Sequence, residues 1–317
     1  MLFATTLALT TPVVRTAGAS VAGCPVFPVD HIWNTRVDTV RVHPRSNDYI
    51  RSIGPAVGLH PDFGSGTWNG GPIGIPFVVV PGTQPRVPVR FGYAGESDPG
   101  PYPIPPNPPI EGGPQSRGDR HVLIVDRDNC RLYELYAAYR QRDGSWRAGS
   151  GATFNLRGYV LRPAGWTSAD AAGFAIFPGL VRYEEVAAGK IGHAIRFTAN
   201  TTQRRYVWHA RHFASDVTNP AVPPMGQRFR LKAAFDISRF PRDVRVILQA
   251  MKTYGIVLAD NGSDWYISGV PDRRWNDDLL VSAFRQVRGS NFEAVDVSSL
   301  MIYPNSGKAR QPAPPSP

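Results

Sequence analysis

Between positions 111 and 121 the chain sets residues able to move protons or bind anions, among them Glu111, Asp119, Arg120 and His121. Gly112, Gly113 and Gly118 lie among them, so the backbone here can approach a ligand closely. A carboxyl group and an imidazole within reach of one substrate supply a general acid and a general base, and a guanidinium clamps an anionic group. Strand alternation puts Asp119 and His121 on one face and Arg120 on the other, so the first two can act together. The plainer alternative pairs Asp119 with Arg120 at a strand end and leaves His121 as a hydrogen-bonded edge residue. A second grouping, Gly165-Trp166-Thr167-Ser168-Ala169-Asp170, offers an aromatic face for a sugar ring beside a carboxylate. Helix capping by Thr167 or Ser168 explains the same residues. Glu111, Asp119, His121 and Asp170 are therefore the candidate catalytic groups. Arg120, Trp166, Trp208 and His212 are the candidate substrate contacts.

Two weaker groupings follow. Tyr183-Glu184-Glu185 precedes Gly192-His193-Ala194-Ile195-Arg196-Phe197, where His193 and Arg196 fall on opposite faces of a strand. If His121, His193 and His212 converge, three imidazoles can hold a divalent metal; otherwise no cofactor is expected. The run Asp260-Asn261-Gly262-Ser263-Asp264-Trp265 offers oxygen ligands for calcium, but it is not an EF-hand loop and a hairpin turn accounts for it. No phosphate loop, dinucleotide-binding glycine pattern, H-E-x-x-H or G-x-S-x-G occurs in a supporting context. The two cysteines, Cys24 and Cys130, read as one disulfide of an exported chain, which leaves no thiolate for a metal site or a nucleophile.

The elements that must position these residues are mostly strands. Gly and Pro number 31 each in 317 residues, too many for a helical protein. The expected fold is mainly β, sandwich-like or barrel-like with α+β character, carrying about two C-terminal helices. Residues 75–80 and 87–93 read as strands, after a short helix over Ser46–Ile53. Residues 99–110 hold seven prolines, so this stretch is extended and lies over a sheet face with Tyr102, Ile104 and Ile110 as anchors, unless it is a linker. Residues 121–125 and 131–136 form a hairpin around Asp126-Arg127-Asp128-Asn129. Further strands are expected at 192–198, 205–209 and 229–232. Pro241 opens a helix whose apolar face is Val244, Ile247, Leu248 and Met251, with Gly255 at its end. A strand at 256–259 then turns at Asp260-Asn261-Gly262 and returns at 265–268. The second helix starts near Asn276 and buries Leu279, Leu280, Ala283, Phe284 and Val287.

Bulk properties bound the rest. Hydrophobic residues at 42% and charged residues at 19% fit a globular core. A net charge of +10 is spread singly, with no run of five basic residues, so nucleic acid is not the expected partner. Leu2 begins an apolar stretch that ends at Val14, too short to span a bilayer, and Thr16-Ala17-Gly18-Ala19 resembles a signal-peptidase site. The expected organisation is a signal peptide at 1–19, one β-rich domain at 24–303 and a disordered tail at 304–317. A lipid anchor on Cys24, in Val21-Ala22-Gly23-Cys24, is the alternative to secretion. No other stretch is long enough to cross a membrane, and the chain is expected to be a monomer.

Several runs carry a family resemblance: Cys24-Pro-Val-Phe-Pro28, Ile32-Trp-Asn-Thr35, Leu59-His-Pro-Asp-Phe-Gly-Ser-Gly66, residues 96–106, Gly118-Asp-Arg-His-Val-Leu123, residues 162–173 and Ala259-Asp-Asn-Gly-Ser263. Together they resemble a family of secreted bacterial proteins, some of them attached to carbohydrate-binding or other extracellular modules. The resemblance covers most of the chain after residue 24 and brings no activity with it. It implies Pro in place of His209 among relatives, which weighs against His209 and leaves His212 the better candidate.

Three functions compete. A secreted polysaccharide-degrading enzyme, hydrolase or lyase, would act on a polysaccharide or cell-wall glycan; the basic charge favours an acidic one. A non-catalytic carbohydrate-binding or envelope protein would instead show a flat aromatic face. A His-ligated metalloenzyme would bring His121, His193 and His212 together.

Overall fold

The run Val122–Asp126 is buried at every residue, which makes it the middle of a sheet rather than an edge. The computed structural model describes residues 19–313, so positions 1–18 of the expected signal peptide lie outside it. Ten strands build the two main sheets. In chain order they are β1 (His60–Asp62), β2 (Phe77–Val80), β3 (Val122–Asp126), β4 (Arg131–Tyr136), β5 (Ser150–Asn155), β6 (Ile195–Ala199), β7 (Arg228–Leu231), β8 (Ile256–Asn261), β9 (Tyr266–Ser268) and β10 (Phe292–Val295). The helices are α1 (Ser46–Ile53), α2 (Tyr183–Ala187), α3 (Arg242–Thr253) and α4 (Asp277–Phe284). Strand makes up 27% and helix 17%, so the fold is mainly β, and the described residues form no closed barrel.

The first sheet has the order β5-β4-β3-β2, and only the β2–β3 pair is parallel. Alternation divides β3 between two cores. Leu123 and Val125 enter the main core, whereas Val122 and Ile124 enter a second cluster. That second cluster is roofed by the proline-rich segment. Tyr102 is fully buried, Ile104 nearly so, and Ile110 packs beside them. The segment is thus an ordered cover and not a linker. The second sheet runs β10-β7-β8-β6-β9-β1, with β8–β6 and β9–β1 parallel.

The expected hairpin between 256–259 and 265–268 is corrected here. The turn exists, but β6 lies between β8 and β9 and pairs with both. Ile195 and Phe197 are fully buried there, so inserting β6 buries an apolar strand that a two-stranded hairpin would leave uncovered. Both late helices form where expected. In α3, Val244, Ile247, Leu248 and Met251 are buried. Gly255 follows with φ +74°, and a Cβ there would meet the Phe229 carbonyl oxygen at 2.2 Å. In α4 the Asn276 side chain accepts the Leu279 N–H at 3.0 Å.

The segment from 304 is not a free tail over its described part. Ile32 N donates to Gly307 O, Gly307 N to Tyr159 O and Arg310 N to Leu300 O, while Ala309 is buried. Among the described residues no helix is long and apolar enough to cross a membrane.

Cys24 and Cys130 form a disulfide with a Cα–Cα distance of 5.3 Å across 106 positions. Cys130 ends the turn before β4, so the bridge ties residue 24 to the first sheet. Closing so long a loop stabilises the fold by about 4–5 kcal/mol in the chain-entropy treatment. The double variant Cys24→Ser with Cys130→Ser is expected to lose that amount. A urea melt with an unchanged midpoint would show that the bridge adds nothing.

Candidate active site

The site is built where the last turn before β3 faces the second sheet. Glu111, at the end of the proline-rich cover, meets His121 one step before β3. Glu111 N donates to His121 O at 3.0 Å, and the His121 Nδ1 lies 2.6 Å from Glu111 Oε2. The other ring nitrogen, Nε2, donates to the Ala169 carbonyl at 2.8 Å. A carbonyl only accepts, so Nε2 carries a proton and Nδ1 is the nitrogen aimed at the carboxylate. Burial works against a charge on His121, but Glu111 outweighs it and raises the imidazole pKa to about 9. Burial likewise opposes the Glu111 charge, yet His121 holds that carboxyl below its usual range. Asp119 is exposed beside them. One donor atom each from Glu111, Asp119 and His121 all lie within 4.8 Å of one another.

The opposite wall comes from the second sheet. Arg196, in the middle of β6, is almost fully buried. Its Nη2 and Nε donate to Asp170 Oδ2 at 2.8 and 3.2 Å, and its Nη1 donates to Ser268 Oγ on β9 at 2.8 Å. Asp170 also accepts the Ala172 N–H at 3.0 Å, and its side chain has no exposed surface. Asp260, on β8, lies farther from Arg196, at 3.9 Å, and is about a quarter exposed. Loss of water and the neighbouring Asp170 push its carboxyl up to about 7. Burial raises Asp170 as well, but the guanidinium contacts Asp170 directly and Asp260 only at 3.9 Å, so of the two Asp260 holds a proton the more readily. Behind them Glu134 of β4 accepts the N–H groups of Ile176 and Phe177 at 2.8–3.0 Å. Burial raises it to about 7.

Two clefts open on this cluster. One, of about 370 Å³, is lined by Asp119, Tyr93, Tyr136, Asp170, His212 and Asp260. The other, of about 520 Å³, is lined by Glu111, Asp62, His60, Phe63, Trp68 and Tyr266. Glu111 faces one and Asp119 the other, so the clefts adjoin at that pair. Trp68 is 74% exposed, and the rings of His60 and Tyr266 stack with centroids 4.1 Å apart. Neither cleft is lined by a lysine or an arginine.

Of the residues singled out in the sequence, Glu111, Asp119, His121 and Asp170 do come together. His212 joins them at the cleft wall, with its Nδ1 2.8 Å from the Ala171 carbonyl. Asp170 sits under Arg196 with its lone pairs committed, so it positions Asp260 and does not face substrate. Arg120 belongs elsewhere. It is buried on the other side, donates to the carbonyls of Ala138, Pro114 and Ser116, and stacks 4.3 Å over Tyr139. It pins the proline-rich cover to the sheet. Trp166 lies under Arg162 and lines neither cleft. Trp208 donates its indole N–H to Ser306 O and packs on the small core around Val37 and Leu300.

The three-histidine metal site is corrected. His193 Nε2 is held at 3.1 Å by both Arg182 and Glu185. Among the described residues the only group of three potential ligands is Glu111, Asp119 and His121. The turn after Asp260 does not gather a calcium ligand set either. Asn261 donates to Ala214 O, and Asp264 accepts from Asn200 N. Sequence reasoning missed Asp62, Glu134 and the organising role of Arg196. The last two carried a signal: a single charge inside an apolar strand, in Leu132-Tyr133-Glu134-Leu135 and Ala194-Ile195-Arg196-Phe197. No protein family, curated protein or solved structure matches the chain.

Proposed function

We propose that this chain is an exported glycan hydrolase working by carboxyl acid–base chemistry. One observation carries the reading: a proton-bearing carboxyl, Asp260, shares a cleft with Asp119, where the Glu111–Asp119–His121 cluster begins. Glycoside hydrolysis requires that division, an acid to protonate the leaving oxygen and a basic group to activate water. Asp260 supplies the proton. The Glu111–Asp119–His121 cluster acts on the water. Adjoining clefts edged by Trp68, Tyr266, Tyr93 and Tyr136 suit a chain of sugar rings, which lie against aromatic faces. The disulfide is consistent with work outside the cytoplasm.

The lining speaks against a lyase acting on a uronate polymer. Such a lyase needs a cation to neutralise the substrate carboxylate; no lysine or arginine lines either cleft, and Arg196 is buried on Asp170, so a uronate would have to rely on a bound metal ion. The net charge of +10 belongs to the rest of the chain, while both clefts are acidic. The acidic linings favour a neutral or amino-sugar glycan as the substrate.

A panel of neutral, amino-sugar and uronate polysaccharides tests this. New reducing ends from a neutral or amino-sugar polymer, without unsaturated products absorbing in the ultraviolet, are expected. Asp119→Asn and His121→Ala should each abolish the release. No cleavage anywhere in the panel, or cleavage that survives both changes, sinks the reading. Binding to a glycan without turnover would favour the second reading, a binding protein using the exposed Trp68 face.

A further inference from the structure

We infer that Glu111, Asp119 and His121 form a binding site for one divalent first-row metal ion, zinc or manganese. The inference assigns a cofactor to the site proposed above. It rests on the hydrolase reading only for what the ion would do there, which is to hold a water or a sugar hydroxyl.

Three observations carry it. The donor set is mixed, one imidazole nitrogen and two carboxylates, with all three donor atoms within 4.8 Å. An imidazole nitrogen with carboxylate oxygens suits these ions better than magnesium or calcium, which take oxygen alone. Next, the buried His121 is held as metal-ligating histidines are held. Its Nε2–H is bound by the Ala169 carbonyl, and that fixes Nδ1 toward the carboxylates. The Nδ1–Glu111 contact at 2.6 Å is a hydrogen bond whose proton an arriving ion would displace, as metal binding to an imidazole requires. Finally, no lysine or arginine neutralises this cluster: Glu111 is paired with His121 alone, and the Asp119 carboxylate has no partner among the described residues. Asp170 has Arg196, Glu185 has Arg182, Glu293 has Arg230, and Glu134 has two backbone N–H groups.

An ion can also reach the site. Asp119 lines one cleft and Glu111 the other, so positions beyond the three protein ligands open toward solvent from both sides. Asp62 shares the cleft of Glu111 and is placed to hold a bound water.

The full chain, stripped with a chelator and titrated calorimetrically with zinc, manganese and calcium, tests the site. One zinc or manganese ion per chain is expected, with calcium at least tenfold weaker. Asp119→Asn, at an exposed position where folding is not at risk, should weaken the zinc and manganese affinity at least tenfold. His121→Gln should do the same and should remove the imidazole-nitrogen coupling from the pulsed magnetic resonance spectrum of the manganese form. Absence of a one-to-one complex, or an affinity unchanged by Asp119→Asn, overturns the site. Calcium binding that ignores His121→Gln also overturns it. Glycan cleavage that persists in chelator with no ion bound sinks the metal and leaves the hydrolase; an ion bound without any cleavage does the reverse.

Discussion

Replacing Asp260 by Asn is expected to lower kcat on a cleaved glycan by roughly 10²–10⁴-fold, the usual contribution of a positioned general acid. The size follows from where the carboxyl sits. Asp260 is partly open to the cleft, while Asp170 and Arg196 behind it are sealed and paired. An amide at this position keeps the shape and the contact with Ala171 N, but it has no proton to give to a leaving oxygen. The pH dependence adds a sharper check. Asp260 must be protonated to act, and its carboxyl titrates at about 7, raised first by burial and then by Asp170. Activity of the wild-type chain should therefore fall as pH rises through about 7. In the Asn variant the remaining activity should lose that descending limb. A leaving group that needs no proton should restore the variant more than the wild type. Full activity in Asp260→Asn, or a descending limb unchanged by it, would remove Asp260 from the mechanism.

The parts of this site that were legible in the sequence share one physical origin, local chain geometry. Glu111, Asp119 and His121 are close in sequence and do meet, but not by the strand alternation expected: residues 119–121 precede β3, and Arg120, at φ +51°, turns away through a left-handed backbone. The proline-rich cover and the β3–β4 hairpin were legible for the same reason, as was the pairing of the only two cysteines. The other wall was not, because it depends on which strands lie side by side. Asp170, Arg196, Ser268 and Asp260 meet only because β6 separates β8 from β9, an order that the turn signal at Asn261-Gly262 argued against. The segment from 304 failed for a related reason. Its Pro- and Ser-rich composition reads as disorder, but its backbone is held by partners as distant as Ile32 and Tyr159. Trp208 and Trp166 show the limit of residue type as a guide. Both are large aromatic residues, and both are spent on packing and on contacts outside the clefts.

A second large effect is expected in stability against acid, from a buried basic cluster far from the carboxyls in character. His31, His209 and Arg228 are each at most 2% exposed. Arg228 donates to the carbonyls of Tyr254 and Ile32, and burial lowers its pKa to about 9. Burial, and then Arg228, lowers His31 to about 3. Burial, Arg228 and His31 hold His209 well below its ordinary value. His209 stacks on Phe174 at 4.4 Å, and neither of its ring nitrogens has a hydrogen-bond partner among the described residues. Both histidines are thus neutral when folded and take up protons on unfolding. For a group with a depressed folded pKa of this kind, the stability is fully present above about 6.5 and is lost as pH falls. Glu134 and Asp260 act in the opposite sense, since carboxyls raised to about 7 give up stability as pH rises. The whole-chain curve blends these contributions, so the informative quantity is the difference between wild type and His209→Met. Methionine keeps an apolar side chain against Phe174 and removes two unsatisfied nitrogens, which should stabilise the chain near neutrality by about 1–3 kcal/mol. Between about pH 7 and about pH 5 the advantage should widen as pH falls, because unfolded His209 takes up a proton that the buried native ring refuses. Urea melts of both proteins at the two pH values measure this directly. Equal pH dependence in the two would mean that native His209 accepts a proton as readily as an unfolded one, which a dry imidazole between Phe174 and Arg228 cannot do.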